Sequence, residues 1–97
     1  MELDQELKED LATLEYILIT KLRPTYLELN TNNDSIYIVL STLAYERMNI
    51  YERVSSIFAL LKTHCQYILD KYLVVVQGFN SNEITQLLEG YSENELS

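Results

Sequence analysis

The chain has 97 residues, of which 47% are apolar, and its 15 acidic residues against 7 basic ones give a formal net charge of −8. A chain this short has room for one hydrophobic core, and its apolar share is enough to fold it without metal or disulfide support. The acidic balance argues against a nucleic-acid-binding protein, because phosphate contacts need a basic surface.

The first predicted element is an amphipathic helix. Leucines recur at steps of three or four residues, which is the spacing of one helix face: Leu3, Leu7, Leu11, Leu14 and Leu18. We expect this helix to end near Leu22, because Pro24 pushes Arg23 out of helical geometry.

A two-residue alternation follows Pro24. Residues 26–29 alternate, residues 30–34 form a polar turn cluster, and residues 36–41 are rich in β-branched and aromatic side chains. This pattern predicts an antiparallel hairpin. Ile36, Leu40 and Leu43 also fit a helical stripe that continues beyond residue 50, so an all-α helical bundle is the alternative.

Helical spacing returns at Asn49. Asn49 and Glu52 match a capping box at the start of a helix. The stripe that follows predicts a long buried face, formed by Val54, Ile57, Leu61, Cys65 and Ile68.

The last predicted elements are a strand and a capped helix. Residues 72–76 are a continuous apolar run, which predicts a strand packed more deeply than the hairpin. Asn80 and Glu83 repeat the capping pattern, and Gly90 is the expected end of the helix. The element order gives an α+β fold, a three-stranded mixed sheet with helices packed on one face. We expect a single domain over residues 1–91 and a frayed acidic tail over residues 92–97.

Composition also indicates where the protein works. Cys65 is the only cysteine, so the chain can form no internal disulfide. Residues 1–6 are acidic and lack the basic-then-apolar order of a secretory signal. The apolar runs are far shorter than the roughly 20 residues that a membrane span needs. We therefore expect a cytoplasmic protein that binds neither membranes nor nucleic acid.

Residues suited to catalysis or metal binding do not converge in the sequence. His64 and Cys65 are the only His and Cys, and neighbours on a helix do not face each other. A structural zinc site needs about four ligands, and Cys65 lies on the apolar stripe, where a buried inert thiol is expected. The prediction is a protein with no catalytic residue, no metal site and no cofactor.

The chain carries eight tyrosines, a residue type enriched at protein interfaces. We therefore expect a protein partner, either another protein or a second copy in a homodimer. Arg53 lies in the first turn of its helix, where the helix dipole disfavours a cation, so we expect Glu46, Glu52 or an outside acidic group to hold it. The candidate interaction surface consists of Tyr45, Arg47, Met48, Tyr51, Arg53 and Tyr72.

The stretch 45–53 resembles the BolA-like family, in which an aromatic residue, a Met-Ser pair and an Arg-rich helix start follow a short strand. Tyr45 matches the aromatic residue, Met48 and Asn49 match the pair, and Arg53 matches the first Arg. Residues 72–76 and 80–83 resemble the family's last strand and final capped helix. The resemblance implies a KH-like αββαβα scaffold and a monothiol glutaredoxin as partner in iron–sulfur trafficking.

The family's glycine and cluster ligands are not matched. The glycine falls on Arg47, the histidine that opens the family's last strand falls on Lys71 or Tyr72, and residues 30–35 hold no Cys or His. The leading hypothesis is therefore a small non-enzymatic protein-interaction or regulatory module. A BolA-like partner of a monothiol glutaredoxin and an all-α acidic adaptor or chaperone are the alternatives.

Overall fold

The computed structural model describes the backbone of residues 4–96 and the side chains of residues 4–90. The elements in chain order are α1 (Gln5–Leu22), β1 (Tyr26–Asn32), β2 (Ser35–Ser41), a 3₁₀ helix (Leu43–Arg47), α2 (Ile50–Lys71), β3 (Leu73–Phe79) and α3 (Ser81–Leu96). This order confirms the predicted α+β fold and contradicts the all-α alternative. Over the described backbone, no helix is both long and apolar enough to cross a membrane.

The sheet has β2 at its centre. β1 pairs with β2 antiparallel and β3 pairs with it parallel, so β1 and β3 are both edge strands. The hairpin turn is tighter than predicted, because pairing continues through Asn32 and only Asn33 and Asp34 turn the chain. Asn33 has a φ of 58°, in the left-handed region that asparagine tolerates well.

One face of the sheet packs against α1 and α2. At alternate positions of β2, Ile36, Ile38 and Leu40 are almost completely buried. Both helices cover these side chains with the leucine and isoleucine stripes that the sequence predicts. The helix residues buried in this core include Leu14, Leu18, Ile57, Leu61 and Ile68.

The other face of the sheet carries apolar side chains that remain accessible. Tyr37 and Val75 lie side by side on it, and Leu73 is 66% exposed. The prediction that β3 is packed more deeply than the hairpin is therefore wrong, because the central position belongs to β2. A continuous apolar run indicates that a strand has apolar side chains on both faces, but it does not indicate whether other elements cover them.

Local sequence signals set the ends of the first two helices. α1 ends at Leu22, and Arg23 has a φ of 47° immediately before Pro24. The predicted capping box at the start of α2 is confirmed. The Asn49 side chain accepts a hydrogen bond from the Glu52 N–H at 2.8 Å, and the Glu52 carboxylate accepts one from the Asn49 N–H at 2.9 Å.

The cap of α3 is confirmed as well. Asn80 and Glu83 exchange the same two hydrogen bonds, each 2.9 Å long. The predicted end at Gly90 is wrong, since the helix continues to Leu96; one glycine costs a helix only about 1 kcal/mol. The single domain over residues 1–91 and the frayed acidic tail over residues 92–97 stay predictions, since the packing of residues 91–97 lies outside the described part of the structure.

Candidate protein-binding surface

The exposed part of the predicted interaction surface lies at the start of α2. Arg47 is exposed at the end of the 3₁₀ helix, and Tyr51 is 79% exposed in the first turn of α2. Two apolar neighbours that the sequence analysis did not include are also exposed, Leu43 by 79% and Ile50 by 65%. We call these four side chains, Leu43, Arg47, Ile50 and Tyr51, the α2-start surface.

The structure places the other four predicted residues below this surface or away from it. Tyr45 and Arg53 are buried, with 1% and 5% of their surface exposed, so their assignment to a contact surface is corrected. Met48 is half-buried against the core. Tyr72 follows the last residue of α2, at the opposite end of that helix. The structure therefore does not bring the six residues together into one surface.

Arg53 links three elements beneath the α2-start surface. Its Nε donates to the Met48 carbonyl at 3.0 Å, and its Nη1 donates to the Gly78 carbonyl at 3.3 Å. The same Nη1 lies 2.7 Å from Oε1 of Glu83, so the ion pair ties α2 to α3. A buried guanidinium needs such partners because an unpaired buried charge is costly.

The partner of Arg53 differs from the predicted one. We expected Glu46, Glu52 or an outside acid, but Glu52 is engaged in its own capping box. Glu46 accepts hydrogen bonds from the backbone N–H and the hydroxyl of Ser81 at the start of α3. Hydrogen bonding from the Asn80 backbone, and then from Arg53, lowers the pKa of Glu83. Glu46 therefore ties the start of α3 to the 3₁₀ helix, and Glu83 ties it to α2.

Gly78 allows β3 to approach Arg53. A Cβ at this position would lie 2.9 Å from Cβ of Arg53 and 3.3 Å from Cε2 of Tyr45. A carbon at 2.9 Å is closer than van der Waals contact permits. The glycine therefore lets the strand backbone lie directly against the two buried side chains.

A groove runs between α2 and the edge strand β3. It contains a cavity of about 170 Å³ whose walls include Ile50 and Val54 from α2. The opposite wall is formed by four consecutive residues of β3, residues 76–79, and Glu83 closes one end. Consecutive strand residues point to opposite faces of a sheet, so a cavity that touches all four must run along the strand's backbone edge.

A second polar cluster lies where α2 meets β3. Oδ2 of Asp10 in α1 accepts hydrogen bonds from Nζ of Lys71 at 2.7 Å and from the hydroxyl of Tyr72 at 2.6 Å. Lys71 also donates to Glu6 at 2.6 Å. The Lys71 bond, followed by the Tyr72 bond, lowers the pKa of Asp10. Burial, followed by the bond to Asp10, raises the pKa of Tyr72 to about 12.

This cluster occupies the place where the BolA-like resemblance puts an iron–sulfur ligand. Lys71 and Tyr72 are protonated and donate hydrogen bonds to Asp10. Iron–sulfur clusters, in contrast, are held by thiolates or neutral imidazoles. The turn of the hairpin supplies only Asn33 and Asp34. Residues 4–90 contain no group of three or more His, Cys, Asp or Glu side chains that could hold a metal ion. The residues present do not fit an iron–sulfur cluster.

His64 and Cys65 do not form a reactive pair. Cys65 is 1% exposed, which confirms the predicted burial, and burial raises the pKa of its thiol. His64 is exposed on the outer side of α2. A protonated thiol in an apolar site is a poor nucleophile.

Three residues of these sites escaped the sequence analysis as functional residues. Glu83 was predicted only as a capping residue, and nothing in the sequence assigned a role to Gly78. The sequence does contain a signal for Asp10. This residue lies three positions after Leu7 and four before Leu14, which places a carboxylate on the apolar side of α1.

Comparison with known proteins identifies the fold. No protein-family model matches the sequence, and no curated protein sequence matches it. Among solved structures, the chain is similar to BolA1 from Arabidopsis thaliana, with a TM-score of 0.60 and 17% identity over 74% of this chain and 92% of that one. It is also similar to the BolA domain of SufE1 from Arabidopsis thaliana, with a TM-score of 0.61 and 16% identity over 84% of this chain and 99% of that one. The protein therefore has a BolA-like fold.

Proposed function

We propose that this chain is a non-enzymatic protein-binding module that contacts its partner through the α2-start surface. The observation that carries the proposal is the exposure of three large apolar side chains in the 3₁₀ helix and the first turn of α2, Leu43, Ile50 and Tyr51. Exposed apolar clusters of this kind mark interaction sites, and Tyr and Arg are the residue types enriched at interfaces. The buried, protonated thiol of Cys65 supports a role without nucleophilic catalysis.

An ion pair and a capping box hold the start of α2 beneath this surface, which favours binding. Arg53 and Glu83 fix α2 to α3, and the Asn49–Glu52 capping box fixes the first turn of α2. Side chains on a preorganised helix end lose less conformational entropy on binding than side chains on a loop.

Photo-crosslinking in the native host tests the proposal. A photoreactive phenylalanine analogue in place of Tyr51 is expected to give a covalent adduct with a protein that mass spectrometry can identify. The same analogue in place of Tyr16, a tyrosine of α1 that is 70% exposed, is the matched control and is expected to give none. An adduct of twice the chain's mass identifies a second copy as the partner. Equal labelling at both positions, or none at either, contradicts the proposal.

The sequence resemblance to the BolA-like family implies a monothiol glutaredoxin as a second candidate partner, and the BolA-like fold agrees with that resemblance. On this proposal the two proteins bind directly, because the cluster at Asp10, Lys71 and Tyr72 supplies no iron ligand. Titration calorimetry with a cluster-free monothiol glutaredoxin tests this candidate. Saturable binding that Tyr51→Ala weakens supports it, and the absence of binding both in calorimetry and in fluorescence anisotropy excludes it.

A further inference from the structure

β3 presents an open backbone edge. The Leu73 N–H donates to the Asp34 carbonyl at 3.1 Å, which sets the phase of the parallel pairing with β2. In a parallel pair, alternate residues bond to the neighbouring strand and the residues between them point away. The N–H and C=O groups of Val74 and Val76 therefore point to the open edge, and the Gly78 carbonyl is met by Arg53.

This edge lacks the features that protect most edge strands from pairing. The sequence of β3, residues 73–79, contains no charged residue and no proline, and its neighbour in the sheet lies on one side only. The opposite edge strand, β1, carries the acid Glu28 and several polar side chains. Charges and prolines are the usual means of blocking strand addition, so β3 is the less protected of the two edges.

The groove beside this edge accepts a side chain. A strand laid along β3 would point every second side chain toward α2, into the cavity of about 170 Å³ between Ile50, Val54 and Val76. Apolar cavities of roughly 150 Å³ hold a benzene ring. An open edge beside a helix, with a pocket between them, is the arrangement that recognises extended peptides by strand addition.

The charge around the groove selects the occupant. Glu83 lies at one end of the groove, where Arg53 neutralises its charge, and the sequence of α3, which begins there, contains three further glutamates and no basic residue. The whole chain carries a net charge of −8. Long-range repulsion therefore opposes a second copy of this chain and any nucleic acid, and it favours a basic ligand.

We propose that the groove between β3 and α2 binds an extended peptide segment of a partner protein, with an apolar side chain in the pocket and basic residues at its ends. The segment adds to the open edge as a fourth strand, bonding to the backbone of Val74 and Val76. This inference rests on the proposed protein-binding function and names the surface and the partner chemistry for it.

Binding of two synthetic peptides to the full chain tests the proposal. In both, Val and Phe alternate with Thr; one has Arg at its ends and the other has Glu. Fluorescence anisotropy is expected to show that the Arg-ended peptide binds at least about tenfold more tightly. Amide exchange measured by NMR is expected to slow at Val74 and Val76 on binding, with no change at the β1 edge.

A charge variant in the groove provides the matched test. Ile50→Lys is expected to weaken binding of the Arg-ended peptide at least about tenfold, because the new cation repels it at the pocket entrance. Ile50 is 65% exposed, so the fold tolerates the change. The control is Ile19→Lys, the same substitution at a residue of α1 that is 49% exposed, and it is expected to leave peptide binding unchanged.

Several results would overturn the proposal. The first is equal affinity for the two peptides, and the second is tighter binding of a single-stranded oligouridylate at the same amides. The third is slower amide exchange at Val74 and Val76 as the protein concentration rises in the absence of peptide. If neither peptide binds while the analogue at Tyr51 still gives its crosslink, the groove proposal fails and the protein-binding function stands.

Discussion

Arg53 in α2 and Glu83 in α3 form an ion pair with 2.7 Å between Nη1 and Oε1, and the arginine side chain is 7% exposed. The two residues are 30 positions apart in sequence, and each lies near the start of its helix. Because the pair fixes α3 and the end of β3 against α2, it holds both the α2-start surface and the peptide groove in shape.

Removal of this pair should destabilise the fold. Arg53→Leu leaves the Gly78 and Met48 carbonyls without their donor and Glu83 without its counter-charge. We expect a loss of about 2–4 kcal/mol in the free energy of unfolding, measured by urea denaturation. Arg47→Leu, at an exposed position, is the control and should change it by less than about 0.5 kcal/mol. Equal effects of the two changes would contradict the structural role of Arg53.

The two glycines should respond to alanine with opposite signs. Gly78→Ala puts a methyl group 2.9 Å from Cβ of Arg53, and we expect a loss of about 1–3 kcal/mol from the resulting overpacking. Gly90→Ala meets nothing within 4 Å in the interior of a helix and should gain about 0.5–1 kcal/mol from helix propensity. Thermal unfolding of both variants measures the difference. A gain in stability for Gly78→Ala would show that β3 does not approach Arg53 this closely.

Stability should depend on pH through Asp10. The hydrogen bonds from Lys71 and Tyr72 lower the pKa of Asp10 below its ordinary value of 3.8. A carboxyl whose pKa is lowered by folding stabilises the protein above the unfolded value, and this contribution disappears as the pH falls through the folded pKa.

Asp10→Asn should therefore reduce the free energy of unfolding by about 1 kcal/mol at neutral pH and by progressively less below pH 3.8. Urea denaturation across this range measures the difference from the unaltered chain. Glu15→Gln, at an exposed position of α1, is the control and should change the free energy of unfolding at neutral pH by less than about 0.5 kcal/mol. A deficit for Asp10→Asn that stays constant in acid would mean that its ionisation contributes nothing.

The chain should not share an iron–sulfur cluster. When it is added to a cluster-loaded monothiol glutaredoxin, we expect the visible absorption and circular dichroism of the cluster to remain unchanged, because Lys71 and Tyr72 stand where a ligand is needed and both are bonded to Asp10. The glutaredoxin alone is the control. A new absorption band would contradict this prediction. If Tyr72→Phe leaves that band in place and His64→Ala removes it, His64 is the iron ligand.

The sequence predicted the elements well because each has a local cause. The leucine steps of α1, the Asn49–Glu52 cap and the alternation around Ile38 all depend on residues a few positions apart. The change of period after Pro24 predicted the sheet, and the resemblance to the BolA-like family predicted its topology.

The candidate site was harder to predict because its contacts join distant parts of the chain. Arg53 was recognised as a cation that needs an acid, but Glu83 is brought to it only by the crossover through β3. Likewise, the apolar run of β3 indicated a deep strand, whereas sheet order alone decides that it is an edge. The same exposed edge now provides the proposed groove.

The most direct test of binding through the α2-start surface is the affinity of this chain for the partner protein that the crosslink at position 51 identifies. Tyr51→Ala should weaken that binding at least about tenfold, as expected for an exposed interface tyrosine, whereas Tyr16→Ala should leave it within about twofold. Titration calorimetry with the purified partner measures both. An unchanged affinity for Tyr51→Ala would show that the start of α2 is not the surface through which this protein acts.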